Sequence, residues 1–211
     1  MLTVSSIFEV HDHGYLRVKL MKLSTSVESL SLSAFQATQQ WVEQWVIGLG
    51  LCPFAVTPWK NKTVHIHVFE ESSVESLLQS LVEQAQSLIA RKSEFSTTLV
   101  ITPYMLKDFD DFLETVDLAD LLFHELSLSA DIQLATFHPN YLFDKEPLNA
   151  RSHLTNRSPY PTFHLLLEDE VTQAVDRFGN TSQIPIRNIA RLEQLDPKEL
   201  LALQKFYPDK S

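Results

Sequence analysis

His138 is the residue of this sequence whose type and position best suit chemistry. It follows the predicted strand 131–137 (DIQLATF) and precedes Pro139. A proline restricts both its own backbone and that of the residue before it, so His138 is held at the predicted end of a strand. An imidazole in such a place can exchange a proton near neutral pH. We therefore predict that His138 is a catalytic residue.

Cys52 is the second catalytic candidate, because it is the only cysteine of the chain and could act as a nucleophile. It follows the predicted C-terminus of a helix, where no helix dipole lowers the pKa of a thiol. Activation would need a spatial neighbour such as His138, and the sequence leaves open whether the two meet. The alternative is a small buried apolar side chain, which is the commoner role of a lone cysteine.

The segment 138–161 has no apolar periodicity and is dense in polar and aromatic residues. Connections of this length in compact domains are uncommon and are usually functional or disordered, and the aromatic content argues against disorder. Of its two arginines, Arg157 lies in the donor-rich stretch 155–158, and a guanidinium offers a planar fork for a carboxylate or phosphate. His164 lies in the next predicted strand and belongs either to the core or to the site. The predicted substrate-binding residues are Asn140, Asn156, Arg157, Tyr160 and His164.

Apolar periodicity predicts the elements that position these residues. Helices are predicted at 34–49, 72–89, 107–126, 168–178, 184–195 and 197–206, and strands at 63–69, 97–102, 131–137 and 162–167. Ser33 and Gln36 form a capping box for the first helix, and the serine-rich stretch 24–33 is typical of a linker.

This order predicts an α/β fold, with a small, mostly parallel sheet of about four strands and helices packed against it. A ferredoxin-like α+β fold with a mixed sheet is the alternative. Residues 31–211 form a single α/β domain in this interpretation. Residues 1–30 are an N-terminal arm with a possible hairpin, or an extended start if translation begins at Met21. Ligands of open α/β sheets bind where strands end, which places the site around His138.

Composition narrows the class of protein. The net charge is -10 and the pI is near 5.2, which argues against a nucleic-acid partner, since phosphate binding needs clustered Lys and Arg. No apolar run reaches membrane-spanning length, so no membrane partner is predicted. The lone cysteine and the lack of a signal peptide predict a reducing, cytoplasmic location. No glycine-rich phosphate loop is present, no metal-ligand set is predicted, and no particular cofactor is implied.

Several motifs together resemble a family of uncharacterised bacterial proteins, domain of unknown function 1415. The motifs are WVEQWVIGLGLCPFA (41–55), TTLVITP (97–103), DFDDFL (108–113), QLATFHPNYLF (133–143), TNRSPYPTFHLL (155–166) and IPIRNI (184–189). The resemblance covers roughly residues 34–195 and implies no particular reaction. It places Asn188 and all seven predicted site residues inside the family's motifs.

Two functions follow from the residues. The first is an enzyme, or an enzyme-like binder, of a small anionic metabolite, with its site around His138 and Arg157. The second is a non-catalytic protein that binds another protein or assembles with itself, through the aromatic residues 141–143 and the two tryptophans of the first helix. The polar character of the segment 155–161 favours the first. The sequence leaves the reaction and the oligomeric state open.

Overall fold

The computed structural model describes residues 28–204, with side chains as far as Leu201. The hairpin predicted within residues 1–20 lies outside this part of the chain. The four predicted strands are confirmed as β1 (Val64–Val68), β2 (Thr97–Ile101), β3 (Ile132–Phe137) and β4 (Thr162–Leu167). The helices are α1 (28–47), α2 (Val56–Asn61), α3 (Val74–Ala90), α4 (Phe109–Glu125), α5 (Glu168–Phe178), α6 (Gln183–Glu193) and α7 (Pro197–Gln204). The sequence patterns did not predict α2 or the 3₁₀ turn Arg151–Thr155.

Helix α1 is longer than predicted, and its last turns, Trp41–Ile47, are π-helical. The linker prediction is wrong for residues 28–33, and Ser33 is not a cap, because the helix has already begun by residue 28. Tertiary contacts stabilise these serine-rich turns. The hydroxyl of Ser31 lies 2.9 Å from that of Tyr104, and Ala34 is completely buried against the sheet.

The sheet has the order β1-β2-β4-β3 and is mixed. β1 and β2 are parallel, whereas β4 lies between β2 and β3 and is antiparallel to both. The prediction of a mostly parallel sheet is therefore wrong. The reason is the segment 138–161, which leaves β3 and returns to the same edge, so that β4 must run back along its neighbours. The α/β class itself is confirmed.

Helices cover both faces of the sheet. On the face that we call the α4 face, α3 and α4 bury a cluster that includes Phe112, Val100, Phe163 and Leu165. On the opposite face, which we call the α1 face, a second buried cluster contains Trp41, Trp45, Leu192 and Leu99. The partly buried Phe137 packs against this cluster. Alternation along β4 places His164 on the α1 face and its neighbours Phe163 and Leu165 on the α4 face. No helix within residues 28–204 has the length and hydropathy needed to cross a membrane.

Candidate functional site

The edge where β1, β2 and β3 end is also the edge where β4 begins, since Ile101 and Phe137 both pair with Thr162. His138 follows β3 directly, and the segment 138–161 returns to this edge. The structure thus brings five of the seven predicted site residues to one end of the sheet, which we call the strand-end site. They are His138, Asn140, Asn156, Arg157 and Tyr160.

His138 is completely buried, and backbone groups occupy both of its ring nitrogens. The N–H of Asn140 donates to Nδ1 at 3.0 Å. Nε2 must therefore carry the ring proton, which it donates to the carbonyl of Leu106 at 2.9 Å. Leu106 has a φ of 57°, a conformation that leucine adopts only under constraint. In this arrangement His138 has no lone pair left for a substrate.

The backbone of His138 makes two further bonds. Its N–H donates to the carbonyl of Asn156 at 3.1 Å, and its own carbonyl accepts from Tyr141. The ring packs between Phe109 and Phe112, with centroids 5.2 and 5.0 Å away. Burial lowers the pKa of His138, although the Leu106 carbonyl and the charge of Asp108 act in the opposite direction. A neutral His138 thus joins three segments: the β2–α4 connection, the turn after β3 and the residues before β4.

Arg157 is half-buried, and one of its nitrogens is held by the chain. Nε donates to the carbonyl of Tyr141 at 3.2 Å. Within the described residues, the two terminal nitrogens form neither a hydrogen bond nor an ion pair. Asn140 is exposed and precedes Tyr141, so its amide lies beside the residue that holds the arginine. Arg157 and Asn140 are the predicted contacts that remain available to a ligand.

Asn156 and Tyr160 are occupied by contacts within the chain. The amide of Asn156 donates to the carbonyl of Thr136 at 3.3 Å and accepts from Thr155. Tyr160 is buried in the cluster with Ala34 and Ile101, and its hydroxyl bonds to the side chain of Ser33. Burial raises the pKa of Tyr160, and so does the neighbouring Tyr104. Both residues hold the segment 155–161 in place.

Cys52 lies away from the strand-end site. It is half-buried after Leu51, which packs on the α1 face, while His138 packs with Phe112 on the α4 face. Burial raises the pKa of the Cys52 thiol, against the N–H groups of Phe54 and Ala55 and the charge of Arg187, which lower it. Since the sheet separates Cys52 from His138, the pair that the sequence left open does not form in this structure.

Helix α6 holds the connection that contains Cys52. Arg187 donates to the carbonyl of Gly50 at 2.8 Å, and Asn188 donates to that of Leu51 at 2.6 Å. The motifs 41–55 and 184–189 therefore meet in space. Both side chains donate to backbone carbonyls. The two motifs therefore meet because helix α6 packs against the residues that follow α1.

His164 lies on the α1 face, on the side of the sheet opposite to His138. Its Nε2 is 2.6 Å from the hydroxyl of Thr97, which donates its one proton to the carbonyl of Leu165 at 2.7 Å. The hydroxyl must then accept from His164, so Nε2 carries the ring proton and Nδ1 keeps its lone pair. Burial lowers the pKa of His164 to about 4, and the ring is neutral at physiological pH.

Sequence reasoning missed His153 and Thr38, and it assigned Trp41 only to an interface. His153 resembles His138, because Nδ1 accepts from the N–H of Phe143 and Nε2 donates to the carbonyl of Pro147. Thr38 and Trp41 are buried on α1, and their polar atoms lack partners among the described residues. A helical stripe of apolar residues was visible in the sequence, but nothing in it indicates an unsatisfied hydrogen bond.

No group of three or more His, Cys, Asp or Glu residues within 28–204 is arranged to hold a metal ion. One family model matches the chain over residues 33–202, and its description is "protein of unknown function (DUF1415)". That match covers most of the sequence and includes every predicted site residue. No curated protein and no solved structure shows significant similarity to the chain.

Proposed function

The chain belongs to the DUF1415 family, and we propose that it binds a small anionic metabolite at the strand-end site. Arg157 is the anion contact in this proposal, and Asn140 is a neighbouring hydrogen-bond donor. His138 is a positioning residue that fixes the segment carrying both. The ligand class is a carboxylate or phosphate, the two anions that a guanidinium fork binds through paired N–H groups.

The observation that carries the proposal is the state of Arg157. Its Nε is bound to Tyr141, which orients the guanidinium, while its terminal nitrogens have no partner among the described residues. The two ion pairs of the described chain are Arg91 with Glu94 and Lys145 with Asp144, both between residues close in sequence. An arginine that is half-buried and oriented but unpaired is suited to an incoming anion.

The loop around Arg157 is already ordered, which lowers the entropic cost of binding. His138 bonds three segments together, and Tyr141 packs between Phe109 and Phe143 at centroid distances of 5.2 and 5.0 Å. The N-terminus of α4 does not compete for the anion. Asp108 already accepts from the N–H groups of Asp110 and Asp111 there.

The test is thermal unfolding with inorganic phosphate and, separately, with malonate, each at constant ionic strength. A specific anion raises the Tm of the wild-type protein, and Arg157→Gln abolishes that rise. Arg187→Gln is the matched control, because that guanidinium binds Gly50 elsewhere in the fold. If neither anion stabilises the protein, or if both variants respond like wild type, the proposal fails. The response to one anion but not the other identifies the ligand as phosphate or carboxylate.

A second candidate function is protein binding through α4. Three leucines of α4 are exposed, Leu113 by 39%, Leu118 by 47% and Leu121 by 59%. The tryptophans predicted for such an interface cannot contribute, since Trp41 and Trp45 are 2% and 3% exposed. The helix carries six acidic residues and no Lys or Arg, so pairing with a second copy is repulsive. A basic amphipathic helix is the complementary partner.

This second function is tested with a synthetic amphipathic helix of leucine and lysine. It should bind the wild-type protein at low salt and bind much more weakly to Leu118→Ser/Leu121→Ser. Val74→Ser is the control, because Val74 is an exposed apolar residue (36%) on a different helix. Equal binding to all three proteins would show general attraction to an acidic protein and would exclude α4 as the interface.

A further inference from the structure

We propose that the layer between α1 and strands β3 and β4 is a second binding site, for an uncharged, flat molecule with both donors and acceptors of hydrogen bonds. We call it the α1 site and define it by Thr38, Trp41, Ser152 and His164. It lies on the face of the sheet opposite His138 and is independent of the anion site proposed above.

Three polar side chains at the α1 site are buried without partners. Thr38 is 0% exposed, Trp41 2% and Ser152 8%. The hydroxyl oxygens of Thr38 and Ser152 and the indole nitrogen of Trp41 form no hydrogen bond with the described residues. Folded proteins leave few such groups unsatisfied, and each calls for an explanation such as a bound molecule.

The other two tryptophans show that an unpaired indole is the exception in this chain. Nε1 of Trp45 donates to the carbonyl of Leu154 at 3.3 Å, and Nε1 of Trp59 donates to Glu43 at 3.1 Å. Trp45 lies one turn after Trp41 on the same helix and equally deep. Burial alone therefore does not account for the missing partner of Trp41.

His164 adds a hydrogen-bond acceptor to these groups. Since Nε2 donates to Thr97, the lone pair of Nδ1 is the unused atom of the ring. No residue of the described chain donates to it. The residue as a whole is intermediate in exposure, and it lies on the α1 face of the sheet.

Phe137 connects two of the four side chains, Trp41 and His164. The rings of Trp41 and His164 pack against it, with centroids 5.2 and 6.0 Å away. Thr38 lies one turn before Trp41, a spacing that places both on one face of α1. Ser152 belongs to the 3₁₀ turn that Trp45 binds through Leu154. The π-helical turns of α1 begin at Trp41, and such irregular turns are frequent at functional sites.

The chemistry of the lining defines the ligand. Arg151, the residue before Ser152, is already bound to the chain, because its Nη1 donates to the carbonyls of Leu192, Glu193 and Leu195. Burying an unpaired charge beside this apolar cluster is costly, so an uncharged molecule is favoured. The aromatic rings favour a flat molecule. Trp41 supplies a donor, His164 supplies an acceptor, and the two hydroxyls can do either. A cyclic amide, such as the edge of a nucleobase, offers the matching groups.

The experiment is a titration of the ¹⁵N-labelled protein with uracil, observed at the three indole N–H resonances. Uracil should shift the Trp41 resonance to saturation and leave those of Trp45 and Trp59 unchanged; Trp41→Phe assigns the signal. The matched probe 1,3-dimethyluracil lacks both N–H donors and should have no saturable effect. If Trp41→Phe does not fold, the wild-type protein still provides the test, because the indole resonances of Trp45 and Trp59 serve as internal controls.

Thr38→Val separates binding from packing. It replaces an unpartnered buried hydroxyl by a methyl group of the same shape, so the ligand-free protein should unfold at the same or a higher temperature. The same variant should weaken uracil binding at least fivefold. A Trp41 resonance that contacts water but does not respond to uracil would show structural water only and overturn the proposal. So would equal shifts of all three indoles.

Discussion

His138 and His164 differ in what their ring nitrogens can still do. Both are neutral and both carry the proton on Nε2, but backbone groups use both nitrogens of His138, and Thr97 uses only one of His164. The sequence favoured His138 for chemistry, because Pro139 follows it. The geometry indicates that His138 positions the surrounding segments, and it leaves the lone pair on Nδ1 of His164 available.

Replacing His138 should destabilise the protein in a graded way. His138→Ala leaves the Leu106 carbonyl and the Asn140 N–H without partners, and we expect a loss of about 2–4 kcal/mol in the free energy of unfolding. His138→Asn places an oxygen near the position of Nδ1 and keeps the bond to Asn140, so about half of that loss is expected. Urea unfolding at pH 8 measures both. Equal losses for the two variants would show that the Asn140 bond contributes nothing.

His164 should make the protein less stable in acid. Its folded-state pKa is about 4, below the ordinary value of 6.5, so the unfolded chain takes up the proton first. The stability it contributes is complete above pH 6.5 and decreases as the pH falls toward 4, by about 3 kcal/mol in total. The free energy of unfolding of wild type, relative to His164→Gln, should fall by this amount between pH 7.5 and 4. Parallel pH curves for the two proteins would contradict the prediction.

At the scale of elements, the end of α4 stores strain that a substitution can release. Ser127 follows the last turn of α4 with a φ of 58°, is exposed, and its N–H bonds to the carbonyl of His124. Glycine adopts this conformation without cost, so Ser127→Gly should raise the free energy of unfolding by about 0.5–1 kcal/mol. Ser127→Val, which is stiffer, should lower it. Urea unfolding measures both changes. A lower free energy of unfolding for Ser127→Gly would contradict the prediction and show that the serine side chain stabilises the protein.

The elements that sequence patterns predicted well are those whose signal is local. The alternation of β1 and the apolar run of β2 are contained in five residues each. The start of α1 was missed because serine favours caps and turns in isolation, whereas here Tyr104 and Tyr160 bind the serines of a helix. The direction of β4 was missed because it depends on where the segment 138–161 returns.

The same distinction applies to the sites. The position of His138 at a strand end could be predicted from Pro139, but its partner Leu106 lies 32 residues earlier in the chain. The availability of His164 depends on Thr97, at a separation of 67 residues. Cys52 and His138 were both plausible from residue type alone, and only the layer order shows that the sheet lies between them.

At the scale of the whole molecule, repulsion between like charges outweighs attraction. The chain has 27 acidic and 17 basic residues, and the described part contains only two ion pairs, both largely exposed. Exposed pairs contribute little to stability, so added salt weakens few attractive contacts. Its main effect is to screen the repulsion caused by the net charge of -10, and this repulsion opposes the compact state.

Moderate salt should therefore stabilise the protein at pH 7. Raising NaCl from very low concentration to about 0.2 M shortens the screening length to less than 10 Å, and we expect a gain on the order of 0.5 kcal/mol in the free energy of unfolding. The control is the same experiment near pH 5.2, the pI, where the net charge is close to zero and the gain should vanish. A gain of equal size at both pH values would indicate general salting-out of apolar surface. Destabilisation by salt at pH 7 would mean that attractive pairs dominate, contrary to the charge distribution described above.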